Sequence, residues 1–314
     1  MKRSLRNVLR LLRPRQWIKN LAIFGAITFG GELFNLPVLS NVLSAFFIFC
    51  AVSSGIYIIN DIFDREKDKL HPFKKFRPLA HGDISLGVAV FVAIILIGSA
   101  TVASYLINPA FFLITMIYLL LQFSYSAFLK HITVIDILAL AGGYILRVYA
   151  GEFASDNHIS VWLLLTTISL SLFLAVGKRR SELTLVSTYS SAQISAIRKT
   201  LSHYSDRLLD VYASIFATST FITYSLFTFF QDETPLSITN QLLLPDYLPN
   251  YLNRKWLMLT IFPVVYGLMR YLQDIYEKHE GESPERVIIS DKPLLINVIL
   301  WVLLVIIIIY VIGG

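Results

Sequence analysis

The stretch LLINVILWVLLVIIIIYVI, residues 294–312, runs for 19 residues without one charge. About 20 such residues cross the roughly 30 Å hydrocarbon core of a bilayer as a helix, in which the backbone satisfies its own hydrogen bonds. The whole chain reads the same way: 55% of its 314 residues are hydrophobic and 15% charged, with a mean hydropathy of +0.64. A soluble domain carries about 25% charged residues, so this chain cannot dress a water-facing surface. Membrane barrels need alternating strands of about ten residues, and the apolar runs here are longer and continuous. The reading is an all-α polytopic membrane protein, one integral-membrane unit over 1–314. Nine helical spans are expected at 17–34, 39–59, 85–106, 109–128, 133–153, 160–176, 207–230, 255–272 and 294–312.

The net charge of +6 gathers at span ends, which argues against a nucleic-acid partner. With the N-terminus inside, segments 1–19, 60–84, 129–132, 177–207 and 270–293 hold 24 of the 27 lysines and arginines. That is the asymmetry of the positive-inside rule. It places the N-terminus in the cytosol, the C-terminus outside and the protein in the plasma (inner) membrane. The basic N-terminus shows no cleavage site of the signal-peptide kind. The one cysteine, Cys50, excludes a disulfide framework, and the six histidines show no metal-ligand spacing. Outside connections are short apart from 231–254, whereas the long loops 60–84, 177–206 and 270–293 are inside. Function is expected there, the loops capping a cytosol-facing site.

The second span runs into Asn60-Asp61-Ile62-Phe63-Asp64-Arg65-Glu66-Lys67-Asp68. Continued as a helix at about 100° per residue, Asn60, Asp64 and Asp68 fall at about 0°, 40° and 80°, and Asp61 at about 100°. Four oxygen-bearing side chains then share one face, with Arg65 pointing away. Like charges so placed repel and call for a compensating cation. Mg²⁺ prefers carboxylate oxygens together with substrate phosphates, so Asn60, Asp61, Asp64 and Asp68 are the candidate metal ligands. The plainer alternative is a solvated helix end. A basic loop follows, His71-Pro72-Phe73-Lys74-Lys75-Phe76-Arg77-Pro78-Leu79-Ala80-His81-Gly82, whose Lys74 and Arg77 suit phosphate oxygens left free by a metal. Lys75 is expected to face water.

NDxxDxxxD at the inner end of the second span, followed by an RPLAxG-type stretch, resembles the UbiA-type membrane prenyltransferase superfamily. The resemblance covers essentially the whole chain. It implies a UbiA-like helical bundle whose aspartates hold Mg²⁺ and a diphosphate. Most members carry a second aspartate-rich motif after the sixth span, where this chain has Gly177-Lys178-Arg179-Arg180-Ser181-Glu182-Leu183. A cationic second site suits a substrate that brings its own anion, such as a lipid phosphate. Five further blocks resemble one branch, the decaprenyl-phosphate phosphoribosyltransferases. They are Arg13-Pro14-Arg15-Gln16-Trp17-Ile18-Lys19-Asn20, Tyr125 to Lys130 leading into Val134-Ile135-Asp136, Gly143 to Arg147, GKRxxEL, and Glu282 to Arg286 with Asp291-Lys292-Pro293.

That branch implies transfer of 5-phosphoribose from phosphoribosyl pyrophosphate (PRPP) to a polyprenyl phosphate, Mg²⁺-dependent and serving cell-envelope glycan synthesis. Asp61, Asp64 and Asp136 would be the catalytic residues; Lys19, Lys74, Arg77, Tyr125, Lys130, Lys178 and Arg179 would bind substrate. The residues themselves leave some roles open. Lys19 either meets a PRPP phosphate or snorkels to headgroups; Lys130 doubles as a positive-inside anchor. Lys178 and Arg179 either recognise the lipid's phosphate or form an ordinary membrane-surface cluster, with Arg180 and Glu182 pairing locally. Asp136, inside the fifth span, orients a ribose hydroxyl or a basic neighbour. Arg147, about 16 Å along that helix, is expected near Glu152. Aromatic residues should line a lipid tunnel and membrane interfaces. The alternatives are a UbiA-type transfer of a polyprenyl group to an aromatic or other acceptor, and a transporter, which polar density at the cytosolic ends disfavours. A homo-oligomer stays open.

Overall fold

The computed structural model describes residues 2–70, 74–187, 203–231, 256–277 and 284–312. The quoted residues His71 to Phe73, most of the 177–206 loop from residue 188 on, and Glu282-Ser283 lie outside the described residues. Among the described residues every regular element is helical. Seven helices are long and apolar enough to cross a membrane: α1 (Leu36–Phe63), α2 (Leu86–Ile107), α3 (Pro109–Ala127), α4 (Ile135–Ser155), α5 (Val161–Ser187), α6 (Asp206–Phe230) and α7 (Lys292–Ile307). The last continues through a π turn to Ile312.

The other two expected spans are wound differently. The first is an 11-residue 3₁₀ helix, Pro14–Phe24, followed by the five-residue α-helix Gly25–Phe29. The eighth is the 3₁₀ turn Trp256–Thr260 followed by the helix Ile261–Glu277. Neither contains an unbroken apolar α-helix of span length, so the count by length and composition among the described residues is seven. Hydropathy sees the apolar run but not the winding.

The expected inside loops are also partly helical. Arg65–Leu70, Lys74–Phe76 and Pro78–His81 are short helical turns, and α5 runs to Ser187, so Lys178 to Arg180 stand on a helix. The acidic helix does not continue unbroken through residues 60–68. It stops at Asp64, whose φ of −91° and ψ of 0° turn the chain before Arg65.

Without water to expel, membrane helices associate by close packing at small residues. A Cβ on Gly55 would lie 2.6 Å from Ile97, so α1 meets α2 at a glycine. Gly151 of α4 faces the 3₁₀ helix so closely that a Cβ there would lie 1.9 Å from the Ile23 carbonyl oxygen. Phe49, Phe111 and Tyr118 fill the centre between α1 and α3 with rings tilted against one another. By contrast α2 and α7 leave Phe91, Ile94, Val102, Ile296 and Ile299 exposed, as faces toward lipid would.

Gly151→Ala should therefore destabilise the protein by about 1–3 kcal/mol through overpacking, read as a lowered unfolding temperature in detergent. Gly98→Ala, whose Cβ would meet nothing within 4 Å, should leave it unchanged or raise it slightly.

Candidate active site

The acidic motif is neutralised by three cations from three other segments. Arg13, at the start of the 3₁₀ helix, reaches Asp61 at 2.5 Å. Arg77 bridges Asp61 and Asp68 from one nitrogen, at 3.0 and 2.6 Å, so those two carboxylates are near neighbours. Lys130 reaches Asp64 at 2.7 Å. Asp61, Asp68 and Lys130 are buried. Burial pushes the Asp68 carboxyl above its ordinary value, and the charges of Arg77 and Lys74 oppose that shift. Arg13 itself has φ +52°, a left-handed conformation that costs a non-glycine residue roughly 1 kcal/mol or more.

Carboxylates and an amide oxygen are the donor types that Mg²⁺ takes, and Asn60, Asp61, Asp64 and Asp68 supply them. Among the described residues, however, no three acidic, histidine or cysteine side chains converge as a ready cluster. Asp61, Asp64 and Asp68 instead hold ion pairs. The donor set fits the ion in kind, with the cations standing where it would compensate charge.

A second polar cluster surrounds Arg179, which is fully buried. Its Nε lies 2.6 Å from Asp136, one terminal nitrogen contacts Glu182, and the other donates to the Tyr125 hydroxyl at 2.9 Å. The 2.6 Å contact lacks hydrogen-bond alignment but is close enough to act as an ion pair. The expected Arg180–Glu182 pair is thus corrected: Glu182 goes to Arg179, one turn earlier, and Arg180 turns to Asp206 and Asp210 of α6. Arg179 is thus held by two carboxylates and a phenol. Lys178 beside it is half-buried.

Asp136 also accepts a hydrogen bond from Tyr204 at 2.7 Å, and the same hydroxyl accepts from the Val134 backbone N–H. Burial and the Asp136 carboxylate push the Tyr204 phenol up. Val134 has φ +70°, an outlier for a β-branched residue. Tyr204 therefore braces the strained entry into α4. No pattern in the sequence singled it out.

Lys19 lies on the 3₁₀ helix, its ammonium donating to Gln16 at 2.8 Å and to Tyr57 at 3.4 Å. One residue on, buried Asn20 accepts from Arg147 Nε at 2.8 Å. Arg147 also donates to the Gly143 carbonyl and the Tyr118 hydroxyl, each at 2.6 Å, and lies over the Tyr118 and Tyr144 rings. The expectation that Arg147 sits near Glu152 as its partner is overturned. Glu152 pairs with His158 instead, while Arg147 turns inward to groups that can satisfy a guanidinium within the bundle.

An apolar cavity of about 380 Å³ lies beside these groups, walled by Ala22, Gly25, Tyr144, Leu174, Tyr271 and Trp301 among others. It is bounded by the N-terminal segment, α4 to α7 and the Ile261–Glu277 helix. The structure thus brings the acidic motif together with Arg77, Lys130 and Arg13, and Asp136 together with Tyr125 and Arg179. Arg13 was visible in the quoted N-terminal block, but its meeting with Asp61, 48 positions away, was not.

The family model for the UbiA prenyltransferase family matches residues 21–287. The decaprenyl-phosphate phosphoribosyltransferase of Mycolicibacterium smegmatis is 33% identical over 299 residues, 94% of this chain and 90% of that protein. The enzyme of the same name from Corynebacterium glutamicum is 31% identical over 97% of this chain and 87% of its own length. Among solved structures, a UbiA homologue from Archaeoglobus fulgidus bound to GPP and Mg²⁺ superposes with a TM-score of 0.68 at 19% identity, covering 96% of this chain and 99% of that one. A digeranylgeranylglyceryl phosphate synthase superposes with a TM-score of 0.63 at 18% identity, covering 98% of each. A match over most of the length, on an all-helical fold with the acidic motif in place, makes the assignment plain: the chain belongs to the UbiA prenyltransferase family.

Proposed function

We propose that the protein transfers 5-phosphoribose from PRPP to the phosphate of a polyprenyl phosphate, releasing pyrophosphate at the cytosolic face of the plasma membrane, as a step toward cell-envelope glycans. The observation that carries this reading is the likeness, over 94% of the chain, to enzymes named for that transfer. The cationic Gly177 to Leu183 segment supports it, since an acceptor phosphate needs positive charge rather than a second acidic motif.

Asp61, Asp64 and Asp68 are balanced here by Arg13, Arg77 and Lys130, so this cluster has little charge to spare for a pyrophosphate. Mg²⁺, held by Asn60, Asp61, Asp64 and Asp68, would supply that charge and stabilise the leaving group electrostatically. Arg77 and Lys74 bind the phosphates of PRPP from the same side, with Lys130 fixing Asp64. The acceptor phosphate has a second pKa of about 6 and is already a nucleophile near neutral pH, so no strong base is required. It attacks C1 of the ribose opposite the pyrophosphate and inverts that centre, through a state with oxocarbenium character. Asp136, held by Arg179 and Tyr204, orients a ribose hydroxyl, with Tyr125 alongside. Lys178 follows Ser171 and Leu174, two cavity-lining residues, on one face of α5, and meets the lipid's phosphate.

The nine-span reading stands on the winding. Eleven 3₁₀ residues rising about 2.0 Å each and five α residues rising about 1.5 Å each span roughly 30 Å, the thickness of the hydrocarbon core. The first expected span, 17–34, would then begin within this winding, with Lys19 near its inner end, the N-terminus in the cytosol and the C-terminus outside.

Purified protein given PRPP, Mg²⁺ and a polyprenyl phosphate should yield a lipid heavier by one ribose 5-phosphate, seen by mass spectrometry. Asp64→Asn should lower the rate by at least about 100-fold, within the range of electrostatic catalysis. Product from prenyl diphosphate and an aromatic acceptor, with none from PRPP, would overturn the assignment. For topology, the only native cysteine is buried, so cysteines placed at Asn35 and Lys75 can each be labelled alone in sealed vesicles. Asn35→Cys should react with an impermeant maleimide from outside and Lys75→Cys from inside. Labelling of both from one side would sink the arrangement.

A further inference from the structure

Resting on that phosphoribosyl-transfer reading, we propose that the 3₁₀ helix Pro14–Phe24 is a binding rail for the acceptor lipid. On it, Gln16 and Tyr57 hold Lys19 against the acceptor's phosphomonoester, directly above the point where the isoprenoid chain enters the apolar cavity. Gln16 and Tyr57 are positioning residues in this arrangement, and the winding of the helix sets the register between head and chain.

The argument begins with the winding. A 3₁₀ helix has three residues per turn, so side chains at i and i+3 eclipse, and runs beyond 3–4 residues are uncommon because the hydrogen bonds are poorer. An 11-residue run therefore has to be held by its surroundings. The holding contacts are visible: Asn20 is tied to Arg147, and Gly151 removes the side chain that would push the Ile23 carbonyl away.

The burial pattern follows the same period of three. Asn20, Ile23 and Ala26 are buried against the bundle, and Leu21 is exposed. Arg13, Gln16, Lys19, Ala22 and Gly25 form the third line, all half-buried. In an α-helix this line would fall about 60° behind at every third residue and leave the site before reaching its end. Here it stays continuous, and its composition changes along its length in a meaningful order.

At one end, Arg13 contacts Asp61 of the acidic motif. At the other, Ala22 and Gly25 line the apolar cavity. Lys19 stands between, about 12 Å from Arg13 and about 6 Å from Ala22 at the 3₁₀ rise of about 2.0 Å per residue. Gln16 Oε1 accepts from both Lys19, at 2.8 Å, and the Tyr57 hydroxyl, at 3.1 Å. Gln16 and Tyr57 are uncharged groups that fix the direction of the ammonium. The Tyr57 ring lies under Arg13 at 5.3 Å and beside Lys19 at 6.0 Å, which locks the line from the α1 side.

An attacking lipid phosphate has to satisfy two constraints together. It must lie next to the sugar whose pyrophosphate is held at the acidic motif, and its chain must leave through apolar surroundings. Lys19 is the cation on this line that meets both. Lys178 closes the site from the opposite wall, on α5.

The test measures binding without any donor, by quenching of tryptophan fluorescence, since Trp17 lies on the rail. The probes are a long-chain polyprenyl phosphate, the corresponding polyprenol and PRPP with Mg²⁺. Gln16→Leu should weaken polyprenyl phosphate about tenfold, the equivalent of a charge-assisted hydrogen bond, and leave the polyprenol and PRPP within twofold. Retained PRPP binding also reports that the variant is folded. Gly25→Leu, which plugs the cavity line, should weaken polyprenyl phosphate and polyprenol alike. The proposal is overturned if Gln16→Leu binds polyprenyl phosphate as tightly as the wild type, or loses PRPP instead. Wild-type protein that shows the Gln16-dependent phosphate preference yet makes no product from PRPP would sink the donor assignment while supporting the rail.

Discussion

Three aspartates within eight residues at the end of a membrane-length helix, two of them buried, need positive charge brought to them, because an unpaired carboxylate away from water costs several kcal/mol. The architecture around them follows from that requirement. Arg13 comes from the N-terminal segment, Arg77 from the turn after the acidic motif and Lys130 from the turn between α3 and α4. Each ion pair thereby fixes an element that the apolar core alone would leave free to slide. A chain that evolved only for stability would fill these positions with apolar residues. A cluster balanced so closely is suited to exchange ion-pair partners.

The same logic repeats deeper in the bundle with the signs reversed. Arg179 is a fully buried cation held by Asp136, Glu182 and Tyr125. Arg147 is held by an amide, a carbonyl, a phenol and two aromatic faces. Ionisable groups inside a membrane are costly and concentrate where function needs them. Arg179 sets the carboxylate at the head of α4. Arg147 sets the N-terminal 3₁₀ helix through Asn20. Both are held by partners that come from other helices or turns of the bundle.

Beside these groups lies an apolar cavity walled by the N-terminal segment, α4 to α7 and the Ile261–Glu277 helix. Its lining is largely apolar, and the polar clusters lie at its margin. Tyr204 and the strained Val134 mark where the chain pays in local backbone energy for holding Asp136 at that boundary.

The sequence by itself determined the class. Uncharged runs of span length leave helices as the backbone solution in lipid, and the acidic motif with its basic follow-on was visible as opposite charges close in sequence. Asp61, Asp64, Asp68, Arg77 and Lys130 were legible because span ends bring such groups to one side of the membrane whatever the packing. Pairing was not. Whether Glu182 meets Arg179 or Arg180, and whether Arg147 turns toward Glu152 or Asn20, depends on helix rotation and on neighbours more than 100 positions away in the latter case. Nor could hydropathy reveal that residues 14–24 wind as a 3₁₀ helix. A run of apolar residues has the same composition in either winding, and only the contacts at Gly151 and Asn20 tip the balance. Tertiary structure decided these points because each is a competition between local alternatives of similar energy, settled by a partner from elsewhere in the chain.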